Sequence, residues 1–188
     1  MKEYMQESHI INFSHPTVAL LAQTLANHCH TDVEIAKVCF IYVRDNIQHT
    51  GDHKNAIPTC SASEVLKHKT GWCYAKSHLL AALLRANNIP TALCYQRLFC
   101  HEYSKDSYCL HGLNAIYLEN IGWYKVDARG NKDDVDAQFD PPHEKLAFKL
   151  VEGESNLDRL YSEPLDIVVN ALKQDYDSMI NNFPDICS

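Results

Sequence analysis

The chain has 188 residues, 46% hydrophobic and 22% charged, a balance that excludes wholesale disorder and allows a full hydrophobic core. Its 17 Lys and Arg against 24 Asp and Glu leave a net charge of −7, which argues against broad binding of nucleic acid or an anionic membrane surface. No repeat, low-complexity tract, Gly/Ser linker or run of about 18 apolar residues interrupts the chain, so a single domain over 1–188 without a membrane span is expected.

In chain order, Ser14-His15-Pro16 opens a helix with Val18, Leu21, Ala22 and Leu25 on one face. Thr31 and Glu34 form a capping-box pattern for a second helix, whose apolar face is Ile35, Val38, Cys39 and Tyr42 and which fades at Asn46. Residues 47–58 read as loop or extended chain. Ser61 with Glu64 opens a short helix to about His68, and Thr70-Gly71 breaks it. A longer helix follows from Cys73 to Ala86, with Leu79, Leu80, Leu83 and Leu84 apolar, and Asn87-Asn88 with Pro90 ends it. The period then changes: 91–99, 111–118 and 122–127 read as strands. Helices first and strands after predict an α+β domain, with an antiparallel sheet packed on the buried helix. Residues 131–144, acidic and carrying Pro141-Pro142, are expected to wrap the surface, and Ser162-Glu163-Pro164 to open a final helix carrying Leu165, Val168, Leu172 and Tyr176.

Eight cysteines and 11 histidines are the unusual counts. No pair among Cys29, Cys39, Cys60, Cys73, Cys94, Cys100, Cys109 and Cys187 has the C-x-x-C spacing of a zinc ribbon. The neighbours His28, Cys29 and His30 point about 100° apart on a helix and cannot converge on one ion. Residues 133–140 lack the central Gly and terminal Glu of an EF-hand loop. No metal and no cofactor is therefore expected. Met1-Lys2-Glu3-Tyr4-Met5-Gln6 leads into no apolar run, which reads as a cytoplasmic chain with reduced thiols, most of them small buried apolar residues.

Cys73 differs by position. At a helix N-terminus it meets the positive end of the helix dipole and unpaired N–H groups, which stabilise a thiolate and then an oxyanion. A structural cysteine opening a core helix is the competing reading. A nucleophile of this kind needs a histidine base oriented by a carboxylate or amide. If 119–122 connects two strands, the hairpin folds Asp127 back toward His111. Asp127 can then take one imidazole nitrogen while the other faces Cys73. Weaker candidates surround this set. Gln48 or His49 could supply an oxyanion donor, and Trp72 a wall or packing. Lys76 reads as surface, while Arg129 and Lys132 read as charge balance for Asp133, Asp134 and Asp136.

The segment Gly71-Trp72-Cys73 followed by an apolar helix and Leu84-Arg85-Ala86-Asn87-Asn88-Ile89-Pro90 resembles the nucleophile segment of the transglutaminase-like superfamily. Asn88 stands where glycine is usual, and Asn also tolerates left-handed backbone angles. His111-Gly112-Leu113-Asn114-Ala115-Ile116-Tyr117-Leu118, then Gly122-Trp123-Tyr124-Lys125-Val126-Asp127, resembles the family's histidine strand, Gly-Trp and strand-Asp phrase. Ile41-Tyr42-Val43-Arg44-Asp45-Asn46-Ile47 resembles its preceding helix. The resemblance covers 31–127 and leaves 128–188 as an extension with a wrapping loop and a final helix. It implies a papain-like fold with Cys73 as nucleophile, His111 as general base and acid, and Asp127 as orienter. Gly112 departs from the family's habit of a small residue and then an aromatic after the histidine, so an aromatic lining is missing or comes from elsewhere.

The expected function is a cysteine enzyme acting through an acyl-enzyme on the amide or ester carbonyl of a peptide, protein or small amide, by hydrolysis or by transfer to an amine. An inert scaffold domain that kept the triad, or a metal-binding protein, are the competing classes. Oligomeric state has no signature in the sequence.

Overall fold

Helix α4 (Cys73–Ala86) is the centre of the molecule: every side chain from Cys73 to Arg85 is buried, polar ones included. The structure, a computed structural model, describes residues 1–53, 57–100 and 107–186. Helices α1 (Pro16–Ala26), α2 (Asp32–Asn46) and α3 (Ala62–His68) pack against α4 through residues such as Val18, Ala22, Cys39, Phe40 and Val65. Both capping boxes form, with Thr31 and Ser61 accepting from the backbone of Glu34 and Glu64 and each glutamate reaching back. Such a cap contributes about 1 kcal/mol.

Two regions converge just ahead of α4. β1 (Gln48–His49) runs parallel to β2 (Thr70–Gly71), pairing His49 with Gly71 two residues before Cys73. Beyond α4 the chain turns at Asn88, whose φ of +60° is the left-handed conformation that the usual glycine would supply. Asn88 N–H donates to Arg85 O and Ile89 N–H to Leu84 O, both at 3.0 Å, closing a Schellman motif. The buried Arg85 guanidinium then bonds Thr91 O at 2.8 Å, Gln6 O at 2.8 Å and Ser162 O at 2.7 Å, gathering three distant segments.

The main sheet has the order β5-β4-β3-β8. β3 (Thr91–Phe99) and β4 (Tyr108–Leu118) pair antiparallel with Gln96 opposite His111. β4 and β5 (Gly122–Val126) pair with Asn114 opposite Val126, and β8 (Ser155–Asn156) borders β3. Asn114 Nδ2 donates to Ser77 O at 3.0 Å, fixing the sheet to α4. The α+β class and papain-like arrangement follow the sequence expectation. β4, however, begins three residues before His111. The 131–144 stretch also does more than wrap: Val135, Ala137 and Phe139 are buried, and β6 (Gln138–Asp140) pairs with β7 (His143–Lys145). The expected final helix is two, α5 (Asp166–Leu172) and α6 (Tyr176–Asn181). Asp175 divides them, because its carboxylate accepts from Ser178 N at 2.9 Å and so caps a new helix. Among the described residues no helix is long and apolar enough to cross a membrane.

Candidate active site

α4 begins without a side-chain cap and without an acid in its first turn, unlike α2 and α3. Its leading N–H groups therefore remain available to a negative charge, and Cys73 is the first residue. β4 comes very close to this helix end because residue 112 is glycine. A Cβ there would meet Tyr74 Cδ1 at 2.8 Å and the Tyr74 backbone at 3.0 and 3.1 Å. Gly112 N–H donates to Cys73 Sγ at 3.4 Å, and the Tyr74 hydroxyl donates to Leu110 O.

The same approach brings the His111 side chain beside Cys73, close enough for the sulfur to influence the imidazole. His111 Nε2 meets Asp127 Oδ2 at 2.7 Å, which leaves Nδ1 for the sulfur. Asp127 is fully buried and held by two backbone donors, Arg129 N to Oδ1 and Ala147 N to Oδ2, both at 3.1 Å. Burial opposes charge on His111, but the Asp127 carboxylate and the Cys73 sulfur outweigh it and raise the imidazole to about 10. Burial also opposes charge on Asp127, yet the histidine and the backbone donors hold its carboxyl below the usual range. Phe148 lies edge-on to His111 at 4.9 Å between ring centres, the aromatic neighbour that Gly112 cannot provide.

These groups open into a cleft of about 810 Å³. One part of its lining is ion-paired: Arg129 holds Asp52 through two bonds of 2.8 and 2.9 Å, and Lys145 bonds Asp136. Another part is apolar, with Leu98, Phe99, Leu110, Phe148, Val151 and Phe183. Of the two oxyanion candidates, Gln48 is exposed and His49 lines the cleft, perpendicular to Trp72 at 5.5 Å. Burial, with Arg129 and Lys76 nearby, pushes His49 well below the usual imidazole range. Its Nδ1 is buried with no hydrogen-bond partner among the described residues, 3.7 Å from Asp52 Oδ2.

Two expectations from the sequence change, at Lys76 and Arg129, and two sharpen, at Trp72 and the cysteines. Lys76 is buried, not on the surface, and its ammonium bonds Ile47 O and Arg44 O, tying the end of α2 to α4. Burial pushes this amine down to about 7. Arg129 pairs with Asp52 across 77 positions instead of balancing the acids at 133–136, whereas Lys132 lies within 3.8 Å of Asp134 and 3.9 Å of Asp52. Trp72 both packs and lines the cleft, stacked on Tyr176 and edge-on to Phe183. Cys100 and Cys109 line the cleft as well, while Cys39, Cys60 and Cys94 behave as core residues with thiols that burial pushes up to about 12, 11 and 12. Cys187 lies outside the described residues.

Phe148, Phe183 and Asp52 had no signal near the motifs. Arg129 had one, since an Asp accepting from the backbone two residues on is a common turn device. Among the described residues, no three His, Cys, Asp or Glu side chains are grouped to hold a metal ion.

One family model, the transglutaminase-like superfamily, matches residues 19–128 of the chain. The chain belongs to that superfamily. Its fold is similar to the crystal structure described as a candidate cysteine protease from Cytophaga hutchinsonii, at 17% identity and a TM-score of 0.53 over 67% of this chain and 40% of that one. A candidate protease from Parabacteroides distasonis matches at 13% identity and a TM-score of 0.46, over 74% of this chain and 30% of that one. The periplasmic domain of TgpA from Pseudomonas aeruginosa matches at 16% and 0.48, over 66% and 45%. This transglutaminase-like chain thus spans less than half the length of each of these proteins. No curated protein matches it in sequence.

Proposed function

We propose that this chain is a cysteine-nucleophile enzyme that opens an amide or ester carbonyl through an acyl-enzyme. The observation that carries the reading is the single imidazole of His111, bonded to Asp127 by Nε2 and close enough to Cys73 for the sulfur to raise it. Cys73 is the nucleophile, His111 the base and acid, and Asp127 the group that orients and charges the imidazole. The raised His111 favours an imidazolium beside the Cys73 sulfur.

The thiolate adds to the carbonyl carbon, and the oxyanion that forms is met by N–H groups of the first turn of α4. His111 gives its proton to the departing amine or alcohol as the C–N or C–O bond breaks. It then takes a proton from water, whose oxygen attacks the thioester, and the acid leaves with Cys73 regenerated. An amine in place of water would give transfer. Hydrolysis is the reading adopted, because a wide cleft lined by Arg129, Asp52, Lys145 and Asp136 admits water.

Alkylation of the native protein by iodoacetamide across pH, with the modified residue located by mass spectrometry, tests the triad. Cys73 is expected to react fastest below pH 7, and His111→Ala to remove that advantage. Labelling of Cys73 no faster than Cys29 at every pH would instead favour an inert scaffold. Turnover of peptide amides with and without an added lysine analogue then separates hydrolysis from transfer.

A further inference from the structure

The cleft also holds a piece of the chain that the proposed chemistry does not use. β5 reaches β4 only as far as Asn114, so β4 has an open edge at residues 110–112, on the side away from β3. Backbone N–H groups two residues apart on a strand point the same way. That of Gly112 donates to Cys73 Sγ at 3.4 Å, and that of Leu110 donates to Pro184 O at 2.8 Å. Two strand residues span about 7 Å, so Pro184 takes the backbone donor next in line after the one at the nucleophile.

Side chains on both sides of Pro184 are seated too. Phe183 lines the cleft and lies edge-on to Trp72 at 5.3 Å. Asp185 accepts two bonds from Arg97, each 2.8 Å, with side-chain exposures of only 16% and 20%. Arg97 is itself held over the Tyr108 ring at 3.6 Å. Ordering an irregular segment costs roughly 1–2 kcal/mol per residue in backbone freedom, so a backbone bond, an aromatic contact and a bidentate ion pair over three successive residues mark a fitted seat.

We propose that the open edge of β4 at Leu110 is a docking subsite for an extended polypeptide substrate, and that Phe183–Asp185 occupy it as an internal pseudo-substrate. This inference rests on the acyl-transfer reading of the cleft and adds a substrate class to it. The subsite takes a backbone carbonyl on Leu110 N–H, a large apolar or aromatic side chain against Trp72, and a carboxylate on Arg97 two residues further along. The mode is strand addition, in which main-chain bonds give affinity and side-chain seats give specificity. A polypeptide entering this subsite must displace the tail, so its apparent affinity falls in proportion to the fraction of molecules with the tail undocked.

The test uses full-length chains carrying Cys73→Ser, and a fluorescein-labelled hexapeptide with the sequence of residues 181–186, followed by fluorescence anisotropy. Asp185→Arg repels the tail from Arg97 and is expected to strengthen hexapeptide binding at least tenfold over the parent chain. Adding Arg97→Asp to Asp185→Arg restores an ion pair and is expected to return the weak binding of the parent. A thermal melt confirms that each variant is folded. Equal binding by the parent and Asp185→Arg chains, or none by either, would overturn the proposal. Because no turnover is needed, loss of the catalytic reading at Cys73 and loss of this docking site are read separately.

Discussion

The proposed catalytic set and the walls around it are built by different kinds of chain. Cys73, His111 and Asp127 come from a buried helix, a central strand and the residue after the next strand, all within 55 positions and inside the family match. Half of the lining comes from 129–186, where short strands and irregular segments deliver Arg129, Phe148 and Phe183. Groups that must hold angles to a few degrees sit on elements locked by the core. Groups that choose a ligand sit on segments that can change without unfolding it.

The comparison is tested most severely at the catalytic set. Asp127→Asn is expected to reduce turnover on the order of 10⁴-fold, because the imidazole loses its charged partner, and to slow Cys73 alkylation at pH 6 in parallel. Next comes Gly112→Ala, which pushes a methyl into the Tyr74 backbone. It is expected to destabilise the fold by about 1–3 kcal/mol in urea titrations and to slow labelling of Cys73 by moving the strand. Phe148→Ala, in the wall, is expected to raise KM by no more than roughly tenfold, the worth of an aromatic pair, while Cys73 labelling stays near the parent rate. An equal loss of labelling in Phe148→Ala and Asp127→Asn would erase the distinction between set and wall.

The smallest effect concerns stability against pH. His111 rises from 6.5 to about 10 on folding, so the stability it lends is full below pH 6.5 and lost as pH climbs through 10. Lys76 falls from 10.5 to about 7, so the folded state binds fewer protons there and stability climbs from pH 7 toward 10.5. The two slopes oppose each other, and a nearly level urea midpoint is expected from pH 7 to 10. Lys76→Met should reveal a falling profile and Asp127→Asn a rising one.

What the sequence revealed follows the same division. Both capping boxes, the left-handed Asn88 and the hairpin that returns Asp127 toward His111 are encoded within a few residues each, so spacing alone finds them. Lys76 misled because its position on α4 carries no sign that the carbonyls of Arg44 and Ile47 would close over it. Asp52 meets Arg129 from 77 positions away, and Phe148 reaches His111 from the far side of β6 and β7. Such contacts are decided by tertiary closure. Cys100 and Cys109 reach the cleft for a related reason: the β3–β4 register, not their count, brings them there.

Arg85 stands at the opposite end of α4 from Cys73, and its guanidinium joins residues 6, 91 and 162. Those segments are far apart in sequence, and only Thr91, at the start of β3, belongs to the main sheet. Fastened to the last turn of the central helix, they open to solvent together or not at all, as one cooperative unit for hydrogen exchange. The helix that carries the thiol therefore also sets how long the two flanks of the chain stay protected. A slow-exchanging amide at Thr91 would be the measurable trace of that shared lifetime.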